Sequence, residues 1–278
     1  MSKLFCYLLF CAVLSSCASP PEVPVLRPMK AEEQALATTR LDALLPMDVL
    51  LLGEQHDASE HQQTHQQVIA LLAHRSLLGA VALEMADAGV STAKLHPSST
   101  EQQAKNALKW NDKSWPWENY SPAVMTAVRA GVLVVGANLP RESMRASMSD
   151  STLDGQLPGA ALKAQQQQIR IGHCNMLPES QITPMTRIQI AKDIKIAETL
   201  REVALPGKVV VLLAGSGHAD RLLGVPQHLP ASLKVKAVRL RAGDAVATDK
   251  PEAFDAVWAT PALPEKDYCA DLKAQMTK

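Results

Sequence analysis

Six short apolar runs, each separated from the next by a longer helical pattern, constrain this chain more than any other feature. They are "DVLLLG" (48–53), "GAVALE" (79–84), "GVLVVGAN" (131–138), "KVVVLLAG" (208–215), "KVKAVRL" (234–240) and "FDAVWAT" (254–260). Continuous rather than alternating hydrophobicity means that both faces of a strand are covered, and parallel neighbours need helical crossovers between them. The pattern therefore specifies an α/β fold, a mostly parallel β-sheet flanked by helices. From about 142 to 206 no strand-like run occurs, which reads as a helical insertion. The sheet resumes after it, so residues 31–278 are expected to form one domain.

Helix starts are expected at three places. Ser59 with Gln62 has the spacing of a capping box for a helix from Glu60 to about Ala73. Ser121-Pro122 and Thr183-Pro184 each place a hydroxyl before a proline suited to the first helical position.

The N-terminus carries Lys3 and then an apolar run, Leu4 to Leu14, too short for a permanent membrane span. It reads as a signal peptide over residues 1–16. Leu14-Ser15-Ser16-Cys17 resembles a bacterial lipobox, with Cys17 as the lipidated residue; a plain secretory signal is the alternative. No Asp follows Cys17, which implies the periplasmic face of the outer membrane if the source is Gram-negative. "ASPPEVPVLRP" (18–28) reads as a tether, giving a lipid-anchored segment over 17–30. Of five cysteines, Cys174 and Cys269 then remain for the folded domain. In an oxidising compartment they most simply form one disulfide, a metal or haem role for Cys174 being the alternative. With 28 basic and 28 acidic residues there is no electrostatic case for nucleic acid.

Four strands end in polar residues: Glu54 and His56 after the first, Glu84 after the second, Asn138 and Arg141 after the third, and His218 in "GSGH" after the fourth. In a parallel sheet these ends share one edge, where ligands bind. His61, His65, Val68 and Leu72 follow helical spacing, so His61 is expected to point toward the pocket and His65 into the core. His74 and His96 read as solvated. Tyr120, just before Ser121-Pro122, reads equally as a ligand-site residue or as a staple for that helix.

Two chemistries suit the cluster, metal and haem, and a serine nucleophile does not. Glu54, His56, Glu84 and His218 could hold a divalent metal with an open position for water, as in a metal-dependent hydrolase. Ser216 beside His218 lacks the G-x-S-x-G pattern of a nucleophile elbow, and "GSG" is no phosphate loop. Haem needs an axial donor and an apolar slot; "KWNDKSWPWENY" and "GHCNMLP" offer four aromatic side chains, His173 and Met176.

The blocks "LLGEQHDASEHQQTHQQV", "VALEM", "WPWENYSPAVMTAVRAGVLVVGANLPR", "GHCNMLP", "IQIAKDIKIAETL" and "VVVLLAGSGHADRLLGVPQHL" resemble, in order, those of ChaN-like haem-binding lipoproteins, relatives of the erythromycin-esterase-like and Tiki proteins. The resemblance implies a haem-binding outer-membrane lipoprotein of the periplasm, serving haem and iron acquisition, with haem as cofactor. It also implies a haem-bridged homodimer and an outer-membrane haem/iron receptor as partners. By position it points to Glu54, His56, His61, Glu84, Asn138, Arg141, His173, Gln189, Asp193 and His218, and it leads to an expected Met where this chain has Ile196. Tyr120, Tyr268 and His228 remain further candidates for the iron. The leading expectation is a non-enzymatic haem binder, and the alternative is a metal-dependent hydrolase.

Overall fold

The structure, a computed structural model, describes residues 31–244 and 251–276. The expected signal peptide, Cys17 and the whole of the expected tether (17–30) lie outside the described residues. Among the described residues no helix is long and apolar enough to cross a membrane.

All six apolar runs are strands: β1 (Val49–Glu54), β2 (Leu78–Asp87), β3 (Leu133–Asn138), β4 (Val209–Gly215), β5 (Val235–Ala242) and β6 (Ala256–Thr260). They form one sheet in the order β3-β2-β4-β1-β5-β6, every neighbouring pair parallel. The helices are α1 (Ala31–Asp42), α2 (Ser59–His74), α3 (Glu101–Ala107), α4 (Trp117–Arg129), α5 (Arg141–Ser149), α6 (Gly159–Gly172), α7 (Glu179–Val203), the single turn α8 (Ser216–Ala219) and α9 (Tyr268–Met276). Between β3 and β4 the chain is helical throughout, as α5, α6 and α7.

Side-chain alternation splits the strands between two cores. Leu50 and Leu52 of β1, Val211 and Leu213 of β4, and Val81 and Leu83 of β2 pack under α2 and α4. Val49 and Leu51, Val210 and Leu212, and Ala80 and Ala82 pack under α7 with Ile196, Ala197 and Leu200. Each fully buried aliphatic chain contributes roughly 1.5–3 kcal/mol, so the sheet interior dominates stability. Ile196 is completely buried in the second core. It serves the helix–sheet packing and offers no surface to a flat ligand.

The helix starts differ from expectation for identifiable reasons. α2 has Ala58 as its N-cap and no side-chain cap bond; the Gln62 amide is drawn instead to Glu54 and to the His56 carbonyl. α4 and α7 begin at Trp117 and Glu179, behind Pro116 and Pro178, leaving Pro122 and Pro184 inside the helices. Each proline forgoes one backbone bond near the helix start. In exchange α4 buries Trp117 and Tyr120 one turn earlier.

β2 also runs on past Glu84. Leu83 pairs with Gly136 and Asp87 with Asn138, so four steps of β2 face two of β3. Such a bulge bends a strand and re-aims its side chains. It requires Gly136, where a Cβ would stand 2.1 Å from the Asp87 carbonyl oxygen.

Candidate functional site

β2, β4 and β1 are adjacent in the sheet, so their carboxyl ends bring Glu84, Gly215 and Glu54 together. Alternation then sends the two carboxylates to opposite faces. Glu54 continues the Leu50 and Leu52 register and enters the α2–α4 side, while Glu84 continues Ala80 and Ala82 toward α7.

Glu54 is almost completely buried. Its Oε1 accepts from the Tyr120 hydroxyl at 2.6 Å and from His56 Nδ1 at 2.7 Å, and its Oε2 accepts from Gln62 Nε2 at 3.1 Å. His65 lies deeper, with Nδ1 3.5 Å from Oε2. Complete burial presses its pKa down to about 4, so it is a neutral core imidazole near pH 7. Tyr120 is fully buried; burial and the Glu54 charge raise its phenol well above the usual range. Its ring packs 5.7 Å from Trp110 and 6.1 Å from Trp115.

On the other face, Gly215 N donates to Glu84 Oε2 at 2.7 Å, and His218 Nε2 stands 3.3 Å from Oε1. His218 Nδ1 donates to Asp193 Oδ1 at 2.5 Å, with the Gln189 amide 3.1 Å from the same nitrogen. Burial opposes the charge on His218, yet Glu84 and Asp193 together lift its pKa to about 10. The imidazolium answers in kind: despite burial, Glu84 is held well below the usual carboxylate range. Asp193 is raised to about 6, because burial outweighs the help of His218 and its Oδ2 has no hydrogen-bond partner.

His56 joins the two halves. Its Nδ1 is fixed by Glu54, its Nε2 stands 4.0 Å from Glu84 Oε2, and its side chain is 41% exposed. Trp115 packs edge-on at 4.8 Å. Burial lowers the His56 pKa, but the Glu54 hydrogen bond and the Glu84 charge carry it upward on balance. The cluster is thus two buried carboxylate–imidazole assemblies with a single imidazole at the surface.

The other expected residues divide. His61 is fully buried and turns away from the cluster: Gln55 N donates to its Nδ1 at 2.9 Å, so its Nε2 donates to Thr260 at the end of β6, 3.1 Å away. The expected orientation toward the pocket is therefore corrected, since the helix start leans toward the β5–β6 side of β1. Asn138 and Arg141 line a neighbouring cleft of about 450 Å³ with Met85, Leu108, Trp115 and Met144. The Asn138 Oδ1 in it has no hydrogen-bond partner. His173 ends α6, its Nδ1 donating to the Ile169 carbonyl at 2.8 Å. His228 closes a 3-10 turn, partly buried. His74 and His96 are exposed. Cys174 and Cys269 are disulfide-bonded.

Among the described residues no group of three or more His, Cys, Asp or Glu side chains forms a metal-holding arrangement. The expected metal set of Glu54, His56, Glu84 and His218 is divided by the sheet, and the oxygens are taken up by imidazole, phenol and amide donors. Ser216 opens α8, and His218 is turned on Asp193 and Glu84, so no serine–histidine pair forms. Sequence reasoning misread Gln62 as a cap. Its signal was available: Gln62, His65, Ile69 and Leu72 share one stripe of α2, all buried.

The profile of a family described as haem-binding uptake, Tiki superfamily, ChaN matches residues 40–229. A solved structure described as cofacial heme binding to ChaN of Campylobacter jejuni is similar at 26% identity and a TM-score of 0.66, covering 79% of this chain and 90% of that one. An erythromycin esterase in its open conformation aligns at 15% identity, TM-score 0.45, over 77% and 74% of the two chains. A Bacillus cereus protein aligns at 11% identity, TM-score 0.45, over 79% and 71%. No curated protein matches the sequence.

Proposed function

The chain belongs to the haem-binding uptake family of the Tiki superfamily, the family of ChaN, and from that premise we propose that it binds haem at the carboxyl edge of its sheet, as a lipid-anchored envelope protein in haem and iron acquisition. The observation that carries the reading is the family match, together with the likeness to a chain whose structure is described by its cofacial heme.

The residues present fit such a group. Haem supplies an iron that takes an imidazole, phenolate, thioether or thiolate ligand, and it needs apolar walls and polar partners for its propionates. Tyr120, His61, His65 and His218 are buried in the interior. His56 reaches the surface and His173 is half-buried, so these are the donors that would hold the iron; the Tyr268 hydroxyl is engaged by Asp57 and Gln55. Trp115 stands against His56, and Ile171, 54% exposed, lies two residues before His173. Arg141 and Lys109 sit at the adjoining cleft for carboxylates. Cys17 would carry the lipid that holds the domain at the periplasmic face of the outer membrane. A second copy bridged by haem and an outer-membrane haem/iron receptor are the partners this reading carries.

A cell-based experiment tests the anchor and the role together. Labelled palmitate should enter the wild-type protein but not Cys17→Ser, and loss of the gene should slow growth on haem as the iron source. Unlabelled wild-type protein removes the anchor; unchanged growth removes the acquisition role.

One geometric observation favours a second reading, hydrolysis. His56 is an exposed imidazole oriented by a buried carboxylate, the arrangement of a general acid or base. This reading uses Glu54, His56, Glu84 and His218 without a metal. It expects turnover of an ester substrate that His56→Ala abolishes, and a wild-type protein inert toward an ester panel would eliminate it.

A further inference from the structure

The last helix has no core of its own. None of its described side chains over 268–274 is buried, and nine residues are too few for a helix to persist alone in water. Two ties hold it. Cys269 is bonded to Cys174 in the α6–α7 connection, across a sequence separation of 95. Tyr268, beside that bond, reaches the loop after β1: its hydroxyl donates to Asp57 Oδ2 at 2.8 Å and accepts from Gln55 Nε2 at 3.0 Å.

Gln55 and Asp57 are the two chain neighbours of His56. The grip of Tyr268 therefore falls on the residues that carry the one exposed imidazole of the cluster. The backbone N–H of Gln55 is engaged as well, by His61, so Tyr268 adds the outer hold on a loop already fixed from inside. Cys174 itself adopts φ 55, a left-handed conformation that non-glycine residues enter at some cost. Cys269 is exposed, so a reductant can reach the bond.

We infer that α9 is a covalently held part of the ligand site: the Cys174–Cys269 bond positions Tyr268, Tyr268 fixes the loop around His56, and ligand affinity depends on whether the disulfide is formed. Tyr268 and Cys269 lie beyond residues 40–229, so the family profile does not describe this device. It rests on the haem reading for the identity of the ligand and on geometry for the positioning.

The test compares wild type, Tyr268→Phe and the double variant Cys174→Ser/Cys269→Ser in two readouts. Amide hydrogen exchange of the haem-free protein reports the loop 55–58 and helix 268–274; a haem titration reports affinity. The double variant should exchange at least tenfold faster in both segments and bind haem at least tenfold more weakly. Tyr268→Phe should loosen the loop while α9 stays tethered. An added dithiol, oxidised to its own disulfide as the Sγ–Sγ bond takes up two electrons and two protons, should reproduce the double variant in wild type and leave that variant unchanged. Unaltered exchange at 55–58 overturns the inference whatever haem does. Faster exchange with unchanged affinity overturns the link to the ligand. Wild-type protein that takes up no haem overturns the functional reading, and this inference with it.

Discussion

Replacing Tyr120 by Phe removes one oxygen from the most enclosed part of the site and leaves the ring packing against Trp110 and Trp115 in place. The lost contact is a 2.6 Å hydrogen bond to a carboxylate that is itself nearly inaccessible. Hydrogen bonds to charged groups contribute about 1.5–3 kcal/mol. Glu54 Oε1 keeps the His56 donor at 2.7 Å, which puts the expected loss toward the lower half of that range, about 2 kcal/mol. For a domain of this size the melting temperature should fall by roughly 4–8 °C, and the urea midpoint by about 1 M. The assay is urea unfolding followed by tryptophan fluorescence, run as a double-mutant cycle with Glu54→Gln. Strong coupling between the two changes is expected. A loss for Tyr120→Phe below about 0.5 kcal/mol, the level of an ordinary surface change, would refute the view of Glu54 as a buried anion held by its donors.

Three further outcomes follow from the same geometry. The His218 pKa is raised to about 10, so its contribution to stability is complete below pH 6.5 and is lost as pH rises toward 10; the unfolding free energy from urea titrations should fall over that range by up to about 1.4 kcal/mol per pH unit. His218→Gln should flatten this alkaline limb, and a wild-type protein equally stable at pH 7 and 10 would contradict it. Gly136→Ala should fail to give folded protein, because its Cβ would meet the Asp87 backbone at 2.1 Å; a soluble variant with native circular dichroism would show the bulge to be dispensable. Gly215→Ala places its Cβ 2.9 Å from His56 Nε2, a side chain that can move, so the fold should survive while the His56 ring resonances shift in NMR.

The strands β1 to β4 were legible because each is a short unbroken apolar run, as in "VLLL" and "VVVLLA", too short for a buried helix, whereas β5 and β6 are only partly buried and β5 carries Lys236, Arg239 and Arg241. The coincidence of Glu54, His56, Glu84 and His218 at one edge was legible for the same reason: parallel strands put their carboxyl ends together. What the sequence hid was the side each residue takes. Glu84 faces His218 at 3.3 Å and His56 at 4.0 Å, partners set by where the loop after β1 and the α8 turn fold back. The bulge of β2 opposite Gly136 is not announced by a lone glycine in a strand. His61 obeyed the helical stripe yet served Thr260, a residue 199 positions away. Local rules also overstated the caps, since Ser121 and Thr183 sit before prolines that tertiary packing draws inside their helices. The hold of Tyr268 on Asp57 spans 211 positions, beyond the reach of any local pattern.

The central claim is tested most directly by titrating residues 18–278, prepared without the lipid, with haem while following the Soret band. A saturable spectrum at fixed stoichiometry is predicted, its position distinguishing an imidazole ligand from a tyrosinate. A featureless response that never saturates would contradict the account and leave the Glu54–His56–His218 cluster to be explained by hydrolysis.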